Sequence, residues 1–193
     1  MLSNHRSGVR NADQALDELS QLLLREQSME CALQEVVDSA KQVLPGDLET
    51  SVSVLFQNFP TTVVYTDQLA VVCDESQYAH GDGPCMHAAS SGQLTEIADA
   101  QAETRWRDYV QEAAEQGALS SLSVPLPISE KEVSAALNIY SRRPNAFDEE
   151  IRSVATKFAP LAATAVTRMR AFKDAQQVAA AWPIRTDRPD PRS

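Results

Sequence analysis

No run of apolar residues in this chain approaches the ~20 needed to cross a bilayer, and its opening, MLSNHRSGVR, lacks the apolar stretch of a secretory signal. Basic charge is also in short supply: 17 Lys and Arg stand against 27 Asp and Glu, for a net charge of −10 and a pI near 4.7. A phosphate backbone is gripped by clustered Lys and Arg, so direct nucleic-acid binding is not expected, and neither is a membrane partner. Cysteine is scarce. Cys31, Cys73 and Cys85 have no spacing that suits a disulfide framework or a zinc site. A reducing, cytoplasmic setting fits that usage. Histidine is limited to His5, His80 and His87, too few converging ligands for a metal or haem, and no cofactor is expected. Internal repeats, a Gly-rich phosphate loop, a Ser-His-Asp set and paired carboxylates at recognisable spacing are all missing.

What remains is a chain of 193 residues, 43% hydrophobic and 23% charged, which suits one domain with a real core. Residues 1–10 read as a disordered lead, 11–180 as the folded domain and 181–193, proline-broken and charged, as a disordered tail. From Asn11, a plausible N-cap, to Gln27, Leu16, Leu19, Leu22 and Leu23 recur at helical spacing. A second helix follows Ser28, with Leu33, Val36, Val37, Ala40 and Val43 on one face, and stops at Pro45-Gly46. Ser51–Gln57 alternates as a half-buried strand, turns around Asn58–Pro60 and pairs with the β-branched Thr61–Thr66.

Asp67 to Gly81 suggests a helix plus loop. Leu94–Asp99 is a short strand candidate. Thr104 is placed to cap a helix carrying Trp106, Tyr109, Val110 and Ala113, closed by Gly117. SLSVPLPI and VSAALNIYS are two further strands around the turn Glu130–Glu132, with Pro125 and Pro127 marking an edge or a strand end. The last helix is the most regular: Ile151, Val154, Ala155, Phe158, Ala162, Ala165, Val166 and Met169 share a stripe, and Pro160 should bend it. Helices, then strands interleaved with short helices, then a helix, make an α+β fold with an antiparallel sheet.

The most informative block is GDGPCMHAA, Gly81 to Ala89. Glycines free the backbone, and Pro84 sits where a helix can begin. Cys85, Met86 and His87 then occupy a first turn whose unpaired N–H groups and dipole favour negative charge. With TRWRDYV, SLSVPLPI, ALNIYS and AFDEEI following in order, the chain from Ala12 to Ala180 resembles a GAF domain, in particular the sensory part of actinobacterial GAF–ANTAR regulators. That resemblance implies a sheet of about five or six strands, terminal helices on one face and ligand-covering helices on the other.

It also nominates site residues. Cys85 at a helix N-terminus is either a stabilised thiolate or a small buried filler. His87 lies two residues on. Trp106 and Tyr109, on the helix that closes the pocket in the family, are either ligand-facing aromatics or core, and Tyr65 on the first hairpin poses the same choice. The resemblance thus implies a non-catalytic sensory domain that binds an unknown small molecule or a partner protein through Cys85, His87, Trp106, Tyr109 and Tyr65, and controls a transcription antitermination output. A homodimer through the terminal helices is expected. Too few residues follow Lys173 for an ANTAR module, leaving open whether that output was lost, removed or is supplied by another protein.

The alternative is a thiol redox switch, or an enzyme like the GAF-type reductases of free methionine sulfoxide, built on Cys85 with Cys73 as partner. Those enzymes resemble the chain in the cysteine at the helix start, but EAAEQGALS, before SLSVPL, has no cysteine where their catalytic one should stand. Cyclic-nucleotide GAF domains place a lysine after the asparagine, whereas here Ile139 follows Asn138. No catalytic residue and no metal ligand is assigned.

Overall fold

The computed structural model describes residues 3–25 and 28–181. Among them six helices and five strands follow in the order α1 (Ser3–Arg25), α2 (Met29–Val43), β1 (Leu48–Phe56), β2 (Phe59–Tyr65), α3 (Gln68–His80), α4 (Pro84–Ser91), β3 (Thr95–Ile97), α5 (Arg107–Glu115), β4 (Ser120–Pro125), β5 (Val133–Ser141) and α6 (Glu149–Ala181). The strands form one antiparallel sheet ordered β2-β1-β5-β4-β3. This is the expected α+β class.

One face of the sheet is apolar. Leu48, Val52, Val64, Leu122, Val124, Leu137 and Ile139 pack there against Leu33, Val36 and Val37 of α2, Leu19 and Leu23 of α1, and Phe158, Ala162 and Val166 of α6. Every member of the stripe anticipated in α6 is buried except Met169, which is half-buried. Small alanines let α6 lie close to its neighbours, while Phe158 fills the centre. The opposite face is covered by α3, α4 and α5. Ala88 and Ala89 of α4 rest on Leu55 and Ala136, and Leu69, Cys73, Tyr109, Val110 and Tyr140 form a second, smaller cluster.

Several local expectations need correction. Helix α1 starts at Ser3, not Asn11, and so runs through most of the proposed lead. Asp67 to Gly81 forms one helix, ended by Gly81 at φ 71°. The hairpin turn is Gln57-Asn58, both left-handed at φ 50° and 67°, the two-residue geometry that matches strand twist; Pro60 lies within edge strand β2, where its missing donor does no harm. Strand β1 is buried on both faces rather than half-buried, because α3 and α4 cover what its alternation suggests is a solvent side. Thr104 does not cap α5: Trp106 occupies the N-cap position, left-handed at φ 46° and ψ 45° with no side-chain cap bond. Ser28 does cap α2, its hydroxyl accepting from the Cys31 N–H at 3.4 Å. Helix α6 continues through Pro160. Residue 27, and the tail from residue 182, lie outside the described residues.

Candidate functional site

Antiparallel pairing sets residues directly opposite one another on the same face, and register therefore decides what lies beneath α3–α5. Ser51, Asn138 and Ser123 make a row across β1, β5 and β4, with Tyr140 opposite Ser121 in the next row and Thr62 opposite Ser53 at the β1–β2 edge. Ser51, Ser53, Ser121, Ser123, Asn138 and Tyr140 are all buried. The sheet therefore offers its second layer of helices a polar surface, and that surface needs hydrogen-bond partners.

Helix α3 supplies most of them. Residues Asp74, Gln77 and Tyr78 stand at three- and four-residue spacing and descend on the sheet. Tyr140 Oη donates to Asp74 Oδ1 at 2.5 Å, Asn138 Nδ2 donates to the same oxygen at 3.2 Å, and Thr62 Oγ1 donates to Oδ2 at 2.8 Å. Asn138 Nδ2 also reaches Ser53 Oγ at 2.9 Å and Ser51 Oγ at 3.3 Å. Tyr78 Oη donates to Ser53 Oγ at 2.7 Å and lies 2.9 Å from Thr62 Oγ1. Gln77 Nε2 donates to Tyr140 Oη at 3.0 Å, while its Oε1 accepts the Cys85 N–H at 2.8 Å. Gln77 thus ties the first turn of α4 to the sheet.

Three polar atoms of this face find no partner: Ser121 Oγ, Ser123 Oγ and Asn138 Oδ1. Beside Ser121 lies a cavity of about 10 Å³ lined by Ile97, Ala100, Tyr109, Val110 and Ala118 among others, roughly room for one water molecule. Burial pushes the Asp74 carboxyl up to about 6, with hydrogen bonds from Tyr140, Ser51, Thr62 and Ser53 pulling it part of the way back. Burial and then the Asp74 charge push the Cys73 thiol up to about 12, and the same two causes hold Cys85 well above the usual thiol range. Desolvation outweighs the helix N-terminus at Cys85.

The residues singled out in the sequence scatter. Cys85 is fully buried on the polar face, and Tyr109 is buried between α5 and the sheet. His87 is exposed, its ring 5.9 Å from that of Trp106, and the Arg105 guanidinium lies 4.6 Å from the Trp106 centroid. Those three side chains form a half-exposed patch above α4 and α5. Tyr65 sits at the far edge of the sheet, on β2, 47% exposed, and joins none of the others. His80 pairs with Glu112 at 3.2 Å, away from His87. Among the described residues no three His, Cys, Asp or Glu side chains gather as metal ligands, and no helix is long and apolar enough to cross a membrane.

Of the network's centre, Asp74, Gln77, Tyr78 and Tyr140 do not appear in the sequence reading, and Asn138 appears there only as an asparagine with no lysine after it. A signal was present: the polar half of the alternation in TSVSV, SSLSV and ALNIY is serine, asparagine and tyrosine, never lysine or glutamate. Small uncharged groups suit a covered polar face better than a solvated one.

The family model described as the GAF domain matches residues 26–167. A comparison with curated proteins gave no match. Among solved structures, the chain is similar to the GAF domain of a phosphoenolpyruvate-protein phosphotransferase from Coxiella burnetii, with 19% identity, a TM-score of 0.63, and 86% of this chain and 98% of that one covered. It is also similar to a domain of a putative two-component sensor histidine kinase from Sinorhizobium meliloti (16% identity, TM-score 0.61, 79% and 99% covered). A third is the free methionine-R-sulfoxide reductase of Neisseria meningitidis, solved with its substrate (15% identity, TM-score 0.62, 86% and 91% covered). At these identities the likeness is one of fold.

Proposed function

The chain belongs to the GAF domain family, and from that premise we propose that it is a non-catalytic, cytoplasmic sensory domain whose small-molecule ligand binds the polar sheet face under α3, α4 and α5. One observation carries the reading. Ser121 Oγ, Ser123 Oγ and Asn138 Oδ1 are buried without partners, and each such group costs about 1–3 kcal/mol. A fold that retains three together, beside a covered carboxylate, has a use for them, and a ligand in their midst would satisfy them. Their strands offer a route outward: Asn138 and Tyr140 alternate along β5 with Leu137 and Ile139, which pack in the α1–α2–α6 layer. A ligand that moves Asn138 would press on those helices. We further propose that the helices pair two copies of the chain, and that the output is of the transcription-antitermination type.

Native mass spectrometry of the freshly purified protein tests both parts. A dimer carrying additional mass that is lost on denaturation is the expected result. A bare mass of 21.1 kDa from cells grown under varied conditions, with no ligand found in solution, refutes the sensor. The thiol alternative is supported by the presence of Cys73 and Cys85 on the same face as Asp74. It asks for a thiolate, however, and both thiols are held protonated by burial. Turnover of free methionine sulfoxide that is lost on Cys85→Ser would reverse this preference.

A further inference from the structure

Two buried carboxylates in this molecule are treated differently. Glu49, 4% exposed, meets Lys41 Nζ at 2.8 Å and Arg142 at 3.9 Å. Asp74, fully buried, meets only neutral groups: Tyr140, Asn138 and Thr62 donate to it, with the Ser51 and Ser53 hydroxyls beside them. Among the described residues no Lys, Arg or His forms an ion pair with it. Neutral hydrogen bonds satisfy lone pairs but bring no opposite charge, and a buried anion without one is the costly case. The second observation is independent of charge. Asn138 Nδ2 is fixed on Asp74, Ser53 and Ser51, so the amide is oriented, and its unpartnered atom is the acceptor Oδ1. The other two unpartnered atoms, Ser121 Oγ and Ser123 Oγ, lie on β4 beside it, Ser123 directly opposite Asn138. Hydroxyl oxygens accept as readily as they donate. The face thus combines one uncompensated negative charge with a row of vacant acceptors, and it holds no vacant cationic donor.

Resting on the reading that this face is where a ligand binds, we propose that the ligand carries a protonated amine or amidine, whose charge is set beside Asp74 and whose N–H groups reach Asn138 Oδ1 and the hydroxyls of Ser121 and Ser123. A carboxylate or phosphate is refused, because it would bring like charge towards Asp74. A divalent metal is poorly served by a single carboxylate. The cavity of about 10 Å³ does not admit such a molecule as it stands, so α4 and α5 must yield. Neither helix is capped by the side chain of its own N-cap residue and α4 meets the sheet through small alanines, so the Gln77 bond to the Cys85 N–H is the polar tie that must open.

The test uses the whole chain, labelled with ¹⁵N, and four probes of one shape: n-butylammonium, n-butylguanidinium, 1-butanol and butyrate. The expected result is saturable movement of the Asn138 side-chain amide and of the Gln77 and Cys85 backbone amides with the two cations, at concentrations at least tenfold below those of the alcohol. Asp74→Asn, checked for a native spectrum, should weaken the cations tenfold or more and leave the alcohol where it was. Ser123→Ala should weaken them by a smaller factor. Butanol or butyrate binding at the same amides as well as the cations overturns the charge assignment and leaves the ligand site standing. Equal binding by Asp74→Asn, or the same movements from magnesium or zinc chloride at lower concentration, also overturns it. Silence from every probe counts against the proposal and the ligand site together.

Discussion

Replacing Asp74 by asparagine should stabilise this protein at neutral pH, although the residue is fully buried and hydrogen-bonded on both oxygens. The carboxyl moves from its ordinary 3.8 to about 6 on folding; at ~1.4 kcal/mol per pH unit, keeping it ionised costs the fold about 3 kcal/mol at pH 7. Because the folded state holds a proton that the unfolded chain releases, this group favours folding most below pH 3.8, and that advantage is lost as pH rises towards 6. An asparagine carries no charge to desolvate and can inherit the bonds. Its carbonyl accepts from Tyr140, and its NH₂ donates to Thr62 Oγ1, which then turns its own proton to Tyr78 Oη, 2.9 Å away; Tyr78 already donates to Ser53.

Urea unfolding of both proteins from pH 5 to 8 would measure the effect. About half of the 3 kcal/mol should appear between pH 5 and 7 as a widening gap in favour of the variant, with no further change above pH 7. A gap that stays flat across the range, or a variant less stable at pH 8 than the parent, would refute the claim that Asp74 is an uncompensated buried charge.

Three other outcomes follow from the same geometry. Ellman's reagent should titrate Cys31 alone in the native protein, since it is exposed while Cys73 and Cys85 are buried and protonated; more than one fast thiol would contradict this. Gly83→Ala should cost about 1–3 kcal/mol of stability, because a Cβ there would stand 2.4 Å from Gln77 Oε1, and Gln77 is tethered to Tyr140 and Cys85. A urea midpoint equal to the parent's would show that Gln77 is free to move. Tyr140→Phe removes the donor to Asp74 and the acceptor of Gln77 Nε2. Loss of at least about 2 kcal/mol is expected, and the Asp74 titration, followed by NMR, should move further up.

The fold was legible where one face of an element meets an apolar layer. The stripe from Ile151 to Met169 follows from local chemistry alone, as do the Pro84 start of α4, its end at Gly92 (left-handed, φ 70°) and Ser28 before α2. Starts and caps were less so. Helix α1 begins at Ser3 in a stretch with no apolar period. At α5 the left-handed Trp106 takes the place that Thr104 has the better side chain for, and propensity yields there to how the 99–106 segment joins the sheet. The sequence leaves Cys85 and Tyr109 open between a ligand-facing and a packing role, and the structure buries both. Asp74 was passed over because one aspartate in VVCDESQ looks like the wet side of a helix, and nothing local says that β1, β5 and β4 lie over it.

The pattern of polarity in the sheet bears on what kind of protein this is. A sheet covered on both sides is most stable with apolar residues on both, as its α1–α2–α6 side shows. Its other side instead carries Ser51, Ser53, Ser121, Ser123, Asn138 and Tyr140 against an acid, and leaves three atoms without partners. Hydrophobic substitution at Ser121 or Ser123 would remove an unsatisfied hydroxyl and fill space beside a small cavity, so stability alone gives no reason for the present residues. Polar side chains and unpartnered polar atoms occur on the same side of the sheet. The proposed ligand site would account for both together, where the hydrogen-bond network alone accounts for the polarity but not for the unpartnered atoms.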